Sequence, residues 1–487
     1  MKGFNWKFVL KVAGIILIIE SLFLFISSGV SFYFERNWVN DLLLSACFTF
    51  VVGFIVLLFG GIRKKFHLIG KKESFFSVAL SWLLFALFGS LPFFLSGHFN
   101  SFSDAFFEST SGITTTGASV LNNIDNLPKG LLFWRSLLQW LGGMGIIVFT
   151  LALLPLIGNS SSQLFDAESS GLTHDKFRPR VTQMAKRLWG IYLLLTISVI
   201  LLLAIGPMNW YDAFCHGFST ISTGGFSTKQ ISIAYWDSNY IQGVIMVFML
   251  LGSINFVLLY FLVKGQFKRF FQDEELRWFF GIILFSIFII SLGLIFENNL
   301  PIVVAIRDAS FQTISLFTTT GYATVDYTTT WEPPLLVLLL FLMVVCGCAG
   351  STSGGLKTVR AVVLVKDALV EFKRLVHPRA IIPVRLNGNA LPFGVVQRLL
   401  AFVFLYIAII LISWFILCIM GLTIDEALSA SVSAISNVGP GFGSIGPMNS
   451  YAEIPTLAKW YLSFLMIVGR LEIFTVLILF TPGFWKQ

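Results

Sequence analysis

Charged residues are scarce in this 487-residue chain. Lysine, arginine, aspartate and glutamate make up 12% of it, whereas 56% of its residues are hydrophobic. A soluble globular domain has about twice that share of charge. The mean hydropathy of +0.84 is likewise that of an apolar chain. The composition therefore excludes a soluble protein and predicts one that resides in a lipid bilayer.

Side chains that carry out chemistry are also few. The five histidines and five cysteines are scattered, without zinc-finger spacing or a disulfide framework, and we expect the cysteines to be reduced. The sequence has no HExxH, GxSxG or phosphate-binding glycine motif. A membrane-embedded enzyme needs clustered acid, base or nucleophilic groups. We therefore predict that the protein is not an enzyme and does not itself bind a nucleotide.

Long apolar runs, in contrast, are abundant. Most reach the length of about 20 residues that crosses a bilayer as a helix, and they occur at 8–34, 39–62, 74–97, 131–157, 188–206, 240–263, 277–296, 335–350, 394–421 and 456–481. Lysine and arginine concentrate in alternate connecting segments, at 2–11, 63–72, 176–187, 264–277 and 357–398. Because basic loops favour the cytoplasmic side, we predict about ten transmembrane helices with both termini in the cytoplasm.

The basic segments have two interpretations. They can be plain determinants of topology that also contact anionic lipid headgroups. Alternatively, three of them can dock a cytosolic partner, namely 176–187, 264–277 and 373–385. Either way, the loops account for the formal net charge of +8, and we expect no nucleic-acid partner.

The connecting segments on the opposite side contain a fourfold internal repeat. Each copy begins with an acidic residue followed by alanine and reaches a glycine thirteen positions after the acid. The acids are Asp104, Asp212, Asp308 and Glu426. Each copy is too short to span a bilayer, which predicts a re-entrant pore helix followed by irregular backbone. Such backbone is tolerated at membrane depth only inside protein or along an aqueous cavity, so the copies are predicted to surround one pore.

The residues at each break are uncharged. Backbone carbonyls, with threonine hydroxyls below them, can coordinate a dehydrated cation there, as in potassium-channel filters. Glycine permits the backbone angles that this requires. We predict a cation filter of three residues from each copy: Thr115, Thr116, Gly117, Thr223, Gly224, Gly225, Thr319, Thr320, Gly321, Asn437, Val438 and Gly439. The acids either cap the pore helices or also gather cations.

Two further features lie at membrane depth. Glycine and serine interrupt the apolar run between Cys346 and Lys357, and glycine in a helix costs about 1 kcal/mol relative to alanine. This run is either a mobile gate or a close helix crossing; its gating candidates are Gly347, Gly350, Ser351, Thr352, Ser353, Gly354 and Gly355. The second feature, Arg470, is a charge in an apolar run. It either faces the pore and restrains cations, or forms a salt bridge with another span.

The sequence resembles the Trk, Ktr and HKT superfamily of potassium transporters over essentially its whole length. The resemblance rests on TTTGAS at 114–119, STGGFST at 222–228, TTTGYAT at 318–324, NVGPGFG at 437–443, GSTSGGLKTVR at 350–360 and VGRLE around Arg470. The extra pair of apolar runs before the first copy favours the TrkH branch over the shorter KtrB branch. Relatives that admit sodium often have serine at the position of Gly117.

This resemblance implies potassium uptake across the bacterial cytoplasmic (inner) membrane, with the potassium ion bound in the filter. It also implies a homodimer gated by a cytosolic nucleotide-binding regulatory subunit like TrkA. The expected division is a transmembrane helix pair at 1–66 and four parallel pore units at 67–165, 166–272, 273–375 and 376–487. Sodium- or proton-coupled potassium symport on the same scaffold stays open.

Overall fold

The structure is a computed structural model that describes residues 4–36, 39–62, 70–157 and 177–486. Over these ranges the chain is mostly helical. Its only strands there are β1 (Arg385–Leu386) and β2 (Asn389–Ala390), which pair antiparallel. All five cysteines are free. The predicted all-α class is confirmed, whereas parts of the basic segments at 63–72 and 176–187 lie outside the described residues.

Two helices, α1 (Trp6–Phe34) and α2 (Val39–Gly60), pack on each other ahead of the first copy. The first unit then contains α3 (Lys71–Gly89), α4 (Leu91–Leu95), α5 (Phe102–Ile113) and α6 (Lys129–Ile157). The second contains α7 (Phe177–Ile205), α8 (Trp210–Ile221), α9 (Asn239–Ser253), α10 (Phe256–Val263) and the short α11 (Phe267–Gln272).

The third unit contains α12 (Glu274–Phe296), α13 (Ile302–Phe317), α14 (Tyr327–Thr330), α15 (Pro333–Val345) and α16 (Thr358–Val376). The fourth contains α17 (Phe393–Ile419), α18 (Ile424–Ser436), α19 (Thr456–Arg470), α20 (Ile473–Leu477) and α21 (Pro482–Lys486). In every unit a long outer helix precedes a short pore helix, and an inner helix follows it. The pore helices are α5, α8, α13 and α18, and the inner helices are α6, α9, α15 and α19.

Among the described residues, six helices are long and apolar enough to cross a membrane: α1, α2, α3 with α4, α7, α12 and α17. Two bent pairs raise the number to eight if each pair is one span. The bends are 110° between α9 and α10 and 112° between α19 and the helical turns after it. The apolar runs predicted as spans at 240–263 and 456–481 are thus each divided by a sharp bend. Helices α6 and α15 lie at the two remaining predicted positions.

The break after α9 is stabilised by the glycine-rich run of the third unit. Backbone groups on both sides of the break pair with that run: Cys348 N donates to the carbonyl of Ser253 over 3.0 Å, and Phe256 N donates to the carbonyl of Gly350 over 3.1 Å. The side chain of Asn255 accepts from Val257 N at 2.8 Å and caps α10. The run thus supplies hydrogen-bond partners that lipid cannot.

The units close into a ring because each inner helix packs against the pore helix of the next unit. Helix α6 contacts α8, α9 contacts α13, α15 contacts α18, and α19 contacts α5 of the first unit. Small residues permit close approach. A Cβ on Gly143 of α6 would lie 2.7 Å from the Cβ of Ser222 at the end of α8 in the next unit. Inside a unit, a Cβ on Gly142 of α6 would lie 1.8 Å from the carbonyl oxygen of Ile113, and one on Gly469 of α19 would lie 2.1 Å from that of Ile435.

Candidate functional site

The four segments predicted to form the filter share one backbone conformation. The first and third residues of each segment have positive φ angles and the middle residue does not. The first residues, with φ between +53° and +58°, are Thr115, Thr223, Thr319 and Asn437. The closing glycines have φ between +79° and +109°. Left-handed backbone is easy for glycine and rare for β-branched threonine, so its fourfold repetition indicates a functional constraint.

These filter segments meet in a closed ring. A Cβ added to the closing glycine of each segment would collide with a backbone carbonyl of the next segment, at 2.2 Å for Gly117, 1.8 Å for Gly225, 2.2 Å for Gly321 and 2.6 Å for Gly439. The oxygens belong, in the same order, to Gly224, Thr320, Val438 and Thr116. The fourth segment therefore contacts the first, and all four glycines line a single cavity.

The pore helices hold the N–H groups of these segments. In every copy the N–H of the middle residue donates to a serine carbonyl of the pore helix over 2.8 to 3.0 Å, and the serines are Ser111, Ser219, Ser315 and Ser433. Within the described ranges, only two of the twelve carbonyls accept a hydrogen bond, Gly224 from Gln139 and Gly439 from Tyr451. The remaining carbonyl lone pairs are available to a cation.

The predicted gating run interrupts the helix as expected and lies against the ends of the pore helices. The hydroxyl of Thr352 donates to the carbonyls of Ile221 and Gly252 at 3.0 and 2.9 Å. Gly354 N donates to the hydroxyl of Thr319, a filter residue, at 2.9 Å. We call residues 346–357 the intramembrane loop. It contacts the second and third units at the base of the filter segments.

Arg470 is the last residue of α19 and is only 2% exposed. Its Nη1 donates to the carbonyl of Thr352 at 2.6 Å, and its Nη2 donates to the carbonyl of Gly142 at 3.3 Å. In the part of the chain that the structure describes, no carboxylate pairs with it, and the nearby Glu472 pairs with Arg360 instead, at 2.8 Å. Arg470 therefore joins the intramembrane loop to the first unit, and the salt-bridge alternative is not found.

The structure has four units around one ring, and each unit consists of an outer helix, a pore helix, a filter segment and an inner helix. This arrangement is typical of a cation pathway, and the sequence profile agrees. The TrkH profile, described as a cation transport protein, matches residues 46–486. The chain belongs to the TrkH family. The resemblance found in the sequence is thereby confirmed.

Individual relatives cover nearly the whole chain. The chain is 40% identical over 443 residues to the Trk system potassium uptake protein TrkH of Salmonella typhimurium, covering 89% of this chain and 91% of that protein. It is 36% identical to the Halomonas elongata TrkH over 99% of both chains. The crystal structure of the potassium transporter TrkH from Vibrio parahaemolyticus matches with a TM-score of 0.90, at 35% identity and over 99% of both chains. These relatives are named as transporters, not enzymes.

The acids of the first, second and fourth repeats lie in the first turn of their pore helices but are not the N-cap residues, although the Glu426 side chain accepts from the N-cap N–H of Thr423 in a capping box. The capping side chains are those of Ser101, Asn209 and Thr423, and each accepts from the N–H of the acid three residues later. In this TrkH-family protein the third pore helix differs, because it begins at Ile302, six residues before Asp308. There the prediction of an acid at the helix end is wrong.

Each acid also has a partner of its own. Asp104 binds the ammonium of Lys459 at 2.6 Å, Asp212 accepts from the hydroxyl of Thr228 at 2.6 Å, and Asp308 binds Arg307 at 3.0 Å. Glu426 accepts from the N–H of Ser444 at 3.1 Å. Each acid thus takes part in a local contact near its filter segment or pore helix.

A buried ion pair behind the filter segments was not predicted. Glu108 of the first pore helix and Arg135 of α6 approach to 2.7 Å, both almost fully buried. The Glu108 carboxylate also accepts from Val120 N at 2.9 Å, and Arg135 donates to the carbonyl of Ser227 at 3.2 Å. The pair thus connects the chain after the first filter segment with the chain after the second. The sequence signals were the two charges themselves, Glu108 inside a re-entrant helix and Arg135 inside the apolar run 131–157.

Proposed function

We propose that this TrkH-family protein takes up potassium ions across the bacterial cytoplasmic membrane through the filter segments. The observation that carries this proposal is the closed ring of four left-handed segments with free carbonyl oxygens. Carbonyl oxygens can replace the hydration shell of a potassium ion. The carboxyl ends of the four pore helices, which carry partial negative charge, lead directly into the segments and add to the attraction for a cation.

We further propose that the intramembrane loop and Arg470 gate this pathway from the cytoplasmic side. Support comes from their position, because the loop bonds to the hydroxyl of Thr319 and Arg470 holds the loop at Thr352. The protein works as a homodimer with a TrkA-like nucleotide-binding subunit, its termini in the cytoplasm and its units divided as the sequence predicts. The relatives' designation as parts of a Trk system supports an additional subunit.

Liposomes containing the purified protein test the proposed function, because potassium, sodium and proton gradients can be imposed one at a time. We expect the zero-current voltage to follow the potassium gradient and to be insensitive to the other two. Potassium accumulation driven uphill by a sodium or proton gradient would instead establish coupled symport. Absence of potassium flux under any gradient, in protein that is folded, would contradict the proposal.

A further inference from the structure

The second filter segment lacks a side chain that the other three possess. Its middle residue is Gly224, whereas the corresponding residues are Thr116, Thr320 and Val438. The space is not empty. A Cβ on Gly224 would lie 2.4 Å from Cδ, 2.6 Å from Oε1 and 2.8 Å from Nε2 of Gln139, so an amide from a different unit occupies the place of the missing side chain.

Gln139 makes two hydrogen bonds that span the closing glycine of this segment. Its Nε2 donates to the carbonyl of Gly224 at 2.6 Å, and its Oε1 accepts from Phe226 N at 3.1 Å. A carbonyl can only accept and a backbone N–H can only donate, so the two partners determine the orientation of the amide. The Gln139 side chain is fully buried, which leaves no water to replace either bond.

Helix α6 also contacts the two residues that directly follow this filter segment. Arg135 lies one turn before Gln139 on α6, donates to the carbonyl of Ser227 and stacks over the ring of Phe226, with 4.1 Å from its Cζ to the ring centre. In the described part of the chain, Gly224 is the only filter carbonyl bonded by an inner helix; the donor to Gly439 is Tyr451, which lies between helices. The first unit therefore positions the second unit's filter segment.

We propose that Gln139 is a positioning and selectivity-determining residue of the potassium filter. Its amide replaces the side chain absent at Gly224 and fixes the direction of the Gly224 carbonyl, which borders Gly117 in the ring. The proposal rests on the proposed function. Without the amide, the peptide between Gly224 and Gly225 is free to rotate, the spacing of the carbonyls changes, and discrimination between potassium and sodium falls.

The direct test is Gln139→Met, which keeps the length of the side chain and removes both hydrogen bonds. In liposomes with mixed gradients, we expect the potassium-to-sodium permeability ratio to fall about tenfold, the scale of one or two buried hydrogen bonds. Gln242→Met is the matched control, since Gln242 is a buried glutamine of the inner helix α9 whose Oε1 has no hydrogen-bond partner among the described residues. An unchanged ratio in folded Gln139→Met protein overturns the proposal.

If Gln139→Met does not fold, substitutions at Gln139 and Gly224 together provide a second test. Gly224→Thr alone places a side chain in the space of Gln139 and should lose selective flux. Gln139→Ala combined with Gly224→Thr gives the second segment the side chain that the first and third have, and should recover selectivity relative to Gly224→Thr. A double variant no better than Gly224→Thr contradicts the proposal.

The two proposals can fail separately. If the wild-type protein shows no preference for potassium, the proposed function fails. If the wild type is selective and Gly117→Ser abolishes that selectivity, while Gln139→Met and the combined substitutions at Gln139 and Gly224 leave it unchanged, only the role of Gln139 fails. Thermal stability in detergent, measured in parallel, separates a general loss of structure from a change confined to the filter.

Discussion

At the residue scale, the most strained backbone positions of the filter are the threonines that open its first three segments. Thr115, Thr223 and Thr319 all have φ near the left-handed value, between +53° and +58°. Such a conformation costs on the order of 1–3 kcal/mol per residue and persists only where the surroundings enforce it. Each segment is held by the pore helix behind it and the neighbouring segment beside it, and together these contacts supply the restraint.

Arg470 is the charged residue for which the structure makes the clearest prediction. We propose that Arg470 faces the pathway. At a separation of about 8 Å and an effective dielectric near 20, it would repel a passing cation by about 2 kcal/mol, roughly thirtyfold in occupancy. Arg470→Ala removes this charge and the bond to the intramembrane loop, so we expect potassium flux in liposomes to rise by up to about thirtyfold. Arg470→Lys keeps the charge and should stay nearer to wild type.

Thermal stability in detergent provides the control for Arg470. Because its hydrogen bonds go to the carbonyls of Thr352 and Gly142 and no carboxylate is left behind, truncation should not incur the cost of about 3–5 kcal/mol that follows from breaking a buried ion pair. A variant that is strongly destabilised and shows no gain in flux would mean that Arg470 acts only as a structural link.

At the scale of elements, the broken inner helices and the intramembrane loop are joined to each other by hydrogen bonds. The loop's two ends are fixed, because the Glu275 carboxylate accepts from Ala349 N at 2.8 Å and from Val359 N at 3.1 Å. Its middle is bonded to other parts of the ring, through the N–H, hydroxyl and carbonyl of Thr352 and through Gly354 N. Loss of these bonds would leave the ends attached, and local opening of such a segment does not require global unfolding.

Thr352→Ala tests whether the centre of the loop restrains flux. The substitution removes the hydroxyl proton that the carbonyls of Ile221 and Gly252 share, a bond worth about 1 kcal/mol. We expect basal rubidium or potassium uptake into liposomes to rise by about fivefold. Shortening the loop between Gly347 and Gly355 should act in the same direction.

Ser351→Ala is the matched control for this prediction. The hydroxyl of Ser351 donates to the carbonyl of Cys348 at 2.6 Å and contacts the hydroxyl of Ser353 at 2.7 Å, so both bonds stay inside the loop. Uptake by this variant should remain close to wild type. If Thr352→Ala and a shortened, folded loop both leave uptake unchanged or lower it, the loop is not a gate.

Much of this element-level architecture could be predicted from the sequence, but the bends could not. The interruption at 346–357 is visible because glycine and serine replace apolar residues. The breaks after Ser253 and Arg470 are followed by apolar residues, among them Ile254 and Leu471, so hydropathy continues through them. A change of chain direction at such a point depends on hydrogen bonds to another unit. The local sequence pattern does not indicate those bonds.

At the scale of the whole molecule, the ring is one site assembled from four distant parts of the chain. The glycines could be predicted because a left-handed backbone and close approach leave a single acceptable residue, repeated in register. Gln139 could not be predicted, because no sequence pattern indicates which residue a glutamine within an apolar run will bond to. Glu108 and Arg135 are likewise 27 residues apart, and only the folded ring shows that they share a bond.

The central claim is that all four closing glycines belong to one potassium filter. The measurement is the reversal potential of liposome-reconstituted protein in opposed potassium and sodium gradients, for Gly117→Ser, Gly225→Ser, Gly321→Ser and Gly439→Ser. Gly281→Ser, on the outer helix α12 where an added Cβ meets nothing within 4 Å, is the control. We expect each of the four variants to shift the reversal potential toward sodium and the control to leave it unchanged; four folded variants with wild-type reversal potentials would contradict a shared filter.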